Sequence, residues 1–234
     1  MTELSKYDPF AVFDAEAARL DNFFGSLQGG GWLRPSRCAG WSIRDVLAHL
    51  AGEEAYNHAC LNADLGGFFA WLRREGVAGE GFGEFNEWCV RSRRQVPVSG
   101  ILAEWRAANT QTRQRMRLLG AAGMLQTSAG PYPAGLQAFH YASELATHAD
   151  DVGVPISAAE EGERTRWRGV FGAFALGEQD RPVTVELADG IVRVSCEGQD
   201  AELSEHQFVE ATVCRLADGT AVPARLRAVL CCLA

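Results

Sequence analysis

Glu144 and His148 stand four residues apart in the stretch FHYASELATHADD, residues 139–151. On a helix, positions i and i+4 share a face, so this carboxylate and imidazole would lie side by side. Such a pair can supply two ligands to a divalent cation, or it can be an ordinary hydrogen bond. A third ligand from elsewhere in the chain decides between these. The candidate is His49, in WSIRDVLAHLAGEEAYNHACL, residues 41–61. A lone histidine beside an apolar stripe is more often a core residue, so His49 alone proves nothing. Taken together, two imidazoles and one carboxylate on two helices leave a coordination position open. That is the arrangement of catalytic rather than structural zinc. Zn²⁺ is the expected ion, and Fe²⁺, Ni²⁺ and Mn²⁺ accept the same donors. His140, one turn before Glu144, is a candidate fourth ligand or general base, with an ordinary polar residue as the plainer alternative. Glu53 and Glu54 follow His49 by four and five residues, and either could orient its ring.

The elements that must carry these residues are legible from periodicity. Phe10, Phe13, Ala17, Leu20, Phe24 and Leu27 recur at helical spacing after the entry Asp8-Pro9, and Gly29 to Gly31 end that helix. Ser42 with Asp45 three residues on predicts an N-cap and capping box for the helix holding His49. Residues 64–84 read as a glycine-rich, partly helical loop covering the site, followed by a short helix from Asn86 to Arg94. The basic run Arg91, Arg93 and Arg94 reads as a solvated face. Ser99 is expected to cap a third long helix over about 100–119, with Ile101, Leu102, Trp105, Ala108 and Leu119 inward. A fourth runs from about Ala134 to Asp151 and ends at Gly153 and Pro155.

The expected fold is therefore mainly α: a four-helix bundle over residues 1–155, then a linker over 156–180, then a small α+β domain over 181–234. In that last domain, two alternating runs flank Asp189-Gly190 and predict a β-hairpin. Ser204 is expected to cap a helix through Leu216, and Pro223 to begin one through Leu233.

Composition excludes several functions. The net charge of −8, with no extended basic cluster, argues against a nucleic-acid partner. No apolar run approaches the roughly 20 residues of a membrane span. The first ten residues show no secretory pattern, which gives a cytoplasmic expectation. The seven cysteines are odd in number and form no CxxC pair, and Cys231 and Cys232 would strain to bridge each other. Reduced thiols are the expectation. Cys38 and Cys89 read as buried small apolar residues, with reactivity as the lesser alternative.

GWSIRDVLAHLAGEEAY, FNEW, ILAEWRAA and ELATHADDVGVPI, in that order, resemble the mycothiol-dependent maleylpyruvate isomerase family, within the wider DinB-like four-helix metalloproteins. The resemblance covers residues 10–155 well. The segment after Pro155 is more weakly similar to the family's small C-terminal domain. It implies that His49, Glu144 and His148 are the metal ligands, with Asp151 as a supporting group behind them. It implies a low-molecular-weight thiol, mycothiol, as cosubstrate and an electrophilic small molecule as substrate. A metal-held thiolate would add to an activated double bond; rotation and elimination would then complete a cis–trans isomerisation. If elimination does not follow, the same site is a thiol S-transferase of secondary metabolism or detoxification. A metal-water hydrolase and a non-catalytic metal-binding sensor are the remaining readings. Where the family often has an arginine three residues before the glutamate ligand, this chain has Tyr141. Its common Gly-Arg pair is Cys214-Arg215 here, which leaves Arg215 as a candidate anion-binding residue or merely an exposed one. The assembly is expected to be a monomer or a homodimer.

Overall fold

The computed structural model describes residues 3–77, 82–188 and 190–233. The chain divides into two compact units, residues 9–154 and residues 155–233 with 3–8.

In the first unit, α1 (Pro9–Ser26) opens at the expected proline and buries Phe13, Ala17, Leu20 and Phe24 along one stripe. Phe24 stacks on Trp32 and meets the edge of Trp105, and losing such a fully buried ring costs about 3–5 kcal/mol. Helix α2 (Ile43–Asn62) starts at the predicted capping box: Asp45 N donates to Ser42 Oγ, and Ser42 N donates to Asp45 Oδ2. This helix is buried on more than one face, so it runs through the middle of the unit. Helix α3 (Leu65–Arg74) forms within the segment expected to be a partly helical loop, and α4 (Gly83–Ser92) is the short helix expected over 86–94, begun three residues earlier. Asp64 caps α3 by accepting from Gly67 N. Part of that expected cover, residues 78–81, lies outside the described residues.

Helix α5 (Val98–Leu119) begins two residues earlier than a Ser99 cap would place it. The carbonyl of Pro97 receives Gly100 N and Ile101 N, and proline's fixed φ suits that entry. Ser99 is thus inside the first turn and does not cap. Leu119 is exposed, and Met116 takes the inward place instead. A hairpin not foreseen from the sequence follows, β1 (Met124–Thr127) against β2 (Gly130–Pro133). It leads into α6 (Ala134–Asp151), which ends at Gly153 with φ of 75°. Ala134, Ala138, Ala142, Ala146 and Ala149 have no exposed surface. These small side chains let α6 lie close along α1, while α2 lies along α5 and α4. Arg113 and Arg117 of α5 both pair with Asp14 of α1.

In the second unit, residues expected to be a linker form α7 (Ala158–Glu178), which buries Trp167, Phe171, Ala175 and Leu176 and packs on α8. Its glycines hid the amphipathic pattern. One of them, Gly172, is needed, since a Cβ there would sit 2.9 Å from Thr212 Oγ1. The sheet is antiparallel in the order β3 (Thr184–Ala188), β4 (Ile191–Cys196), β5 (Gln199–Ser204). The predicted hairpin is its first two strands, with Val185 opposite Val194. Asp189 lies outside the described residues. Strand β5 was not predicted, because Gln199, Asp200 and Glu202 are polar and only Leu203 is buried. Ser204 caps α8 (Glu205–Thr212) as expected, though the helix stops short of Leu216. Likewise α9 (Ala224–Leu230) stops before Leu233.

Reduced thiols were expected throughout, and this is corrected. Cys214 and Cys231 form a disulfide with Cα atoms 4.8 Å apart. Separated by 17 residues, they meet because the tail after α9 turns back, where Cys232 N and Leu233 N both donate to Thr212 O. The other five cysteines are free thiols. Among the described residues, no helix is long and apolar enough to cross a membrane.

Candidate metal centre

The ligand atoms of His49, Glu144 and His148 all lie within 4.8 Å of one another. His49 comes from the middle of α2, and Glu144 and His148 from successive turns of α6. Both imidazoles aim at one carboxylate oxygen: His49 Nε2 is 3.2 Å and His148 Nε2 3.1 Å from Glu144 Oε1. The imidazole rings meet edge-on with centroids 5.0 Å apart. Both histidines are buried, whereas the Glu144 side chain keeps about a third of its surface exposed.

The outer nitrogen of His148 is held. Its Nδ1 lies 3.2 Å from Asp151 Oδ2, one turn further along α6, and the Asp151 side chain has no exposed surface. Cys38 Sγ donates to the same oxygen at 3.1 Å and sits 3.7 Å from His148 Nδ1. An ionised Asp151 can only accept, so a neutral His148 carries its one proton on Nδ1 and turns its Nε2 lone pair toward Glu144. With both rings neutral, three electron-pair donors face one another at this point. Such a cluster is relieved by extra protons or by a cation. By contrast, His49 Nδ1 is buried and has no hydrogen-bond partner among the described residues.

The electrostatics agree with this crowding. Burial opposes charge on His148, but its bonds to Asp151, Cys38 and Glu144 prevail and hold its pKa well above the usual imidazole value. Burial also opposes charge on Glu144, but the two histidines prevail and hold it well below the usual carboxylate value. Burial, with the charge of His148, pushes His49 down against the pull of Glu144. Glu53 Oε2 is 3.9 Å from His49 Nε2. Burial and the negative charges of Glu144 and Glu54 push Glu53 well above its usual value.

Of the two glutamates expected near His49, Glu53 is therefore beside the ring and Glu54 is not. Glu54 faces α5, where Asn109 Nδ2 and Thr112 Oγ1 donate to it. His140 Nε2 faces the Tyr132 hydroxyl at 3.4 Å and is not in the three-ligand group. Arg215 lies in the second unit, in the turn after α8, where its backbone N donates to Glu210 O. Tyr141 is buried against Phe13. The sequence alone did not single out Trp41, whose ring lies 5.2 Å from that of His49 while its indole N–H donates to Glu87 Oε1. Its place directly before the Ser42 cap was the available signal.

A family profile described as the mycothiol maleylpyruvate isomerase N-terminal domain matches residues 13–153. No curated protein matches the chain. Two crystal structures of a mycothiol-dependent maleylpyruvate isomerase, one of them a point mutant, share the fold. They have TM-scores of 0.67 and 0.65, 14% identity, and coverage of 94% of this chain and 94% of theirs. With the profile spanning the whole bundle and the fold shared over nearly the full length, the chain belongs to the mycothiol maleylpyruvate isomerase N-terminal domain family.

Proposed function

We propose that this chain is a thiol-dependent metalloenzyme whose His49, Glu144 and His148 hold a divalent cation, with Zn²⁺ the best match to the donor set. The observation that carries the reading is the convergence of two imidazole nitrogens on Glu144 Oε1, with the His148 proton drawn to the far side by Asp151. When bound, the ion would lower the pKa of a coordinated thiol, giving a thiolate at neutral pH.

The chain's own residues do the rest. Asp151 keeps the proton on His148 Nδ1. The buried rings of His49 and His148, with Trp41 beside them, keep water from the inner side. Family membership supports mycothiol as the thiol and an electrophilic small molecule as the substrate. In the isomerase reaction, sulfur adds to one carbon of a conjugated double bond, and the π electrons move onto the conjugated carbonyl. After rotation about the new single bond, those electrons return, the carbon–sulfur bond breaks, and the thiolate is regenerated.

Metal content of the purified chain, compared with His49→Ala and Glu144→Ala, tests the site; full retention of metal in both variants would sink it. Incubation with mycothiol and maleylpyruvate tests the chemistry. An isomer of unchanged mass supports isomerisation, a thiol adduct makes the chain a transferase, and no product from the metal-loaded chain rejects both.

A further inference from the structure

The loop between Arg34 and Ser42 supplies no ligand to the centre, yet it is tightly built and reaches behind it. Its two strands close on each other through Ser36 N to Trp41 O and Ile43 N to Arg34 O. Within it, Ser36 Oγ accepts from Cys38 N, and Trp41 N donates to Cys38 O. The loop is tied to the end of α6 by Arg37 N, which donates to Asp151 O at 2.9 Å. These bonds leave Cys38 little freedom, and its thiol meets the buried carboxylate of Asp151.

We propose that Cys38 is a positioning residue for the metal centre: its thiol donates to Asp151 Oδ2 and fixes the carboxylate that orients His148. The inference rests on the metal reading above and adds a residue to it. A buried carboxylate needs donors to offset its lost hydration. Oδ2 has two within reach, the Nδ1–H of His148 at 3.2 Å and the thiol at 3.1 Å. Losing the thiol removes one of these two donors from Oδ2 and loosens the carboxylate's hold on the ring. With both, the oxygen is pinned on the line that turns Nε2 toward Glu144.

Cys38, His148 Nδ1 and Asp151 are also close enough together to ligate a cation themselves. That would require Nδ1 to give up the proton Asp151 holds there, so positioning is the reading the geometry favours.

The test is cobalt binding to the full-length chain, measured in competition with a chelator for wild type, Cys38→Ala, Cys38→Val and Cys38→Ser. Direct partners of a ligating histidine are worth about 10–100-fold in affinity, so removing one bond to that partner is expected to weaken binding roughly 3- to 10-fold in the alanine and valine variants. Serine keeps a donor and should stay within about twofold. No thiolate-to-cobalt charge-transfer absorption is expected in the near ultraviolet. Equal affinity in all four chains overturns the proposal, as does a charge-transfer band that Cys38→Ser removes, because Cys38 would then be a ligand. If the alanine variant loses its helical circular dichroism, the near-isosteric valine variant carries the comparison. Wild type that takes up no cobalt overturns the metal reading itself, which separates the two failures.

Discussion

Asp151 Oδ2 lies 3.2 Å from His148 Nδ1, and the other ring nitrogen of His148 lies 3.1 Å from Glu144 Oε1. The imidazole is thus strung between two carboxylates one turn apart on either side of it, and only one of them faces the other histidine. Asp151→Asn removes the charge that holds the Nδ1 proton. Metal affinity is expected to fall about 10–100-fold with helical content unchanged. Unchanged affinity would mean that His148 keeps its orientation without Asp151.

Glu54 makes a separate prediction away from the centre. Burial raises its pKa above the ordinary 4.5, although Thr112, Asn109 and Asn57 pull it down. A carboxyl raised in the folded state contributes stability that is full below its unfolded pKa. That contribution is lost as pH rises through the folded value. Glu54→Gln keeps an acceptor for Asn109 and carries no charge. Its melting temperature should therefore change less than that of wild type between about pH 5 and about pH 8. Parallel pH profiles would show that Glu54 does not titrate in that window.

The disulfide is directly countable. Alkylation of the unfolded chain without reductant should label five thiols, and seven after reduction. Closing a loop of this length is worth about 3 kcal/mol, so Cys214→Ser should lower the melting temperature measurably. Seven labelled thiols without reductant would rule the bridge out.

Gly52 of α2 packs directly against Cys89 of α4. A Cβ added there would stand 2.5 Å from both Cβ and Sγ of Cys89. Gly52→Ala is expected to destabilise the chain by about 1–3 kcal/mol, read by chemical denaturation. A neutral or stabilising outcome would show that the two helices can part to admit a methyl group.

The bundle was legible because its long helices state their period plainly. Phe13, Ala17, Leu20 and Phe24 mark one face, and Ser42 with Asp45 marks a start. The side-by-side placing of Glu144 and His148 was legible for the same reason, since residues four apart on a helix share a face. Less visible were contacts that depend on long-range closure. Cys38 and Asp151 are 113 residues apart, and nothing local pairs them. Cys214 meets Cys231 because the tail turns back onto Thr212. Strand β5 carries polar residues on a three-stranded edge, so alternation could not mark it. Residues 157–180 read as a helical or irregular linker, because Gly162, Gly169, Gly172 and Gly177 dilute the apolar stripe of α7, although Gly172 is what lets α8 approach.

The close approach at Gly52 has a kinetic meaning as well. Cys89 has no exposed surface, and burial pushes its thiol up to about 12. An alkylating reagent in neutral solution can therefore reach a reactive thiolate there only while α4 has swung off α2. Because His49 sits one turn before Gly52 on α2, the rate of Cys89 labelling clocks the opening of the wall next to the centre. Slower labelling upon cation uptake would read out, in seconds or hours, how firmly a filled centre clamps the bundle shut.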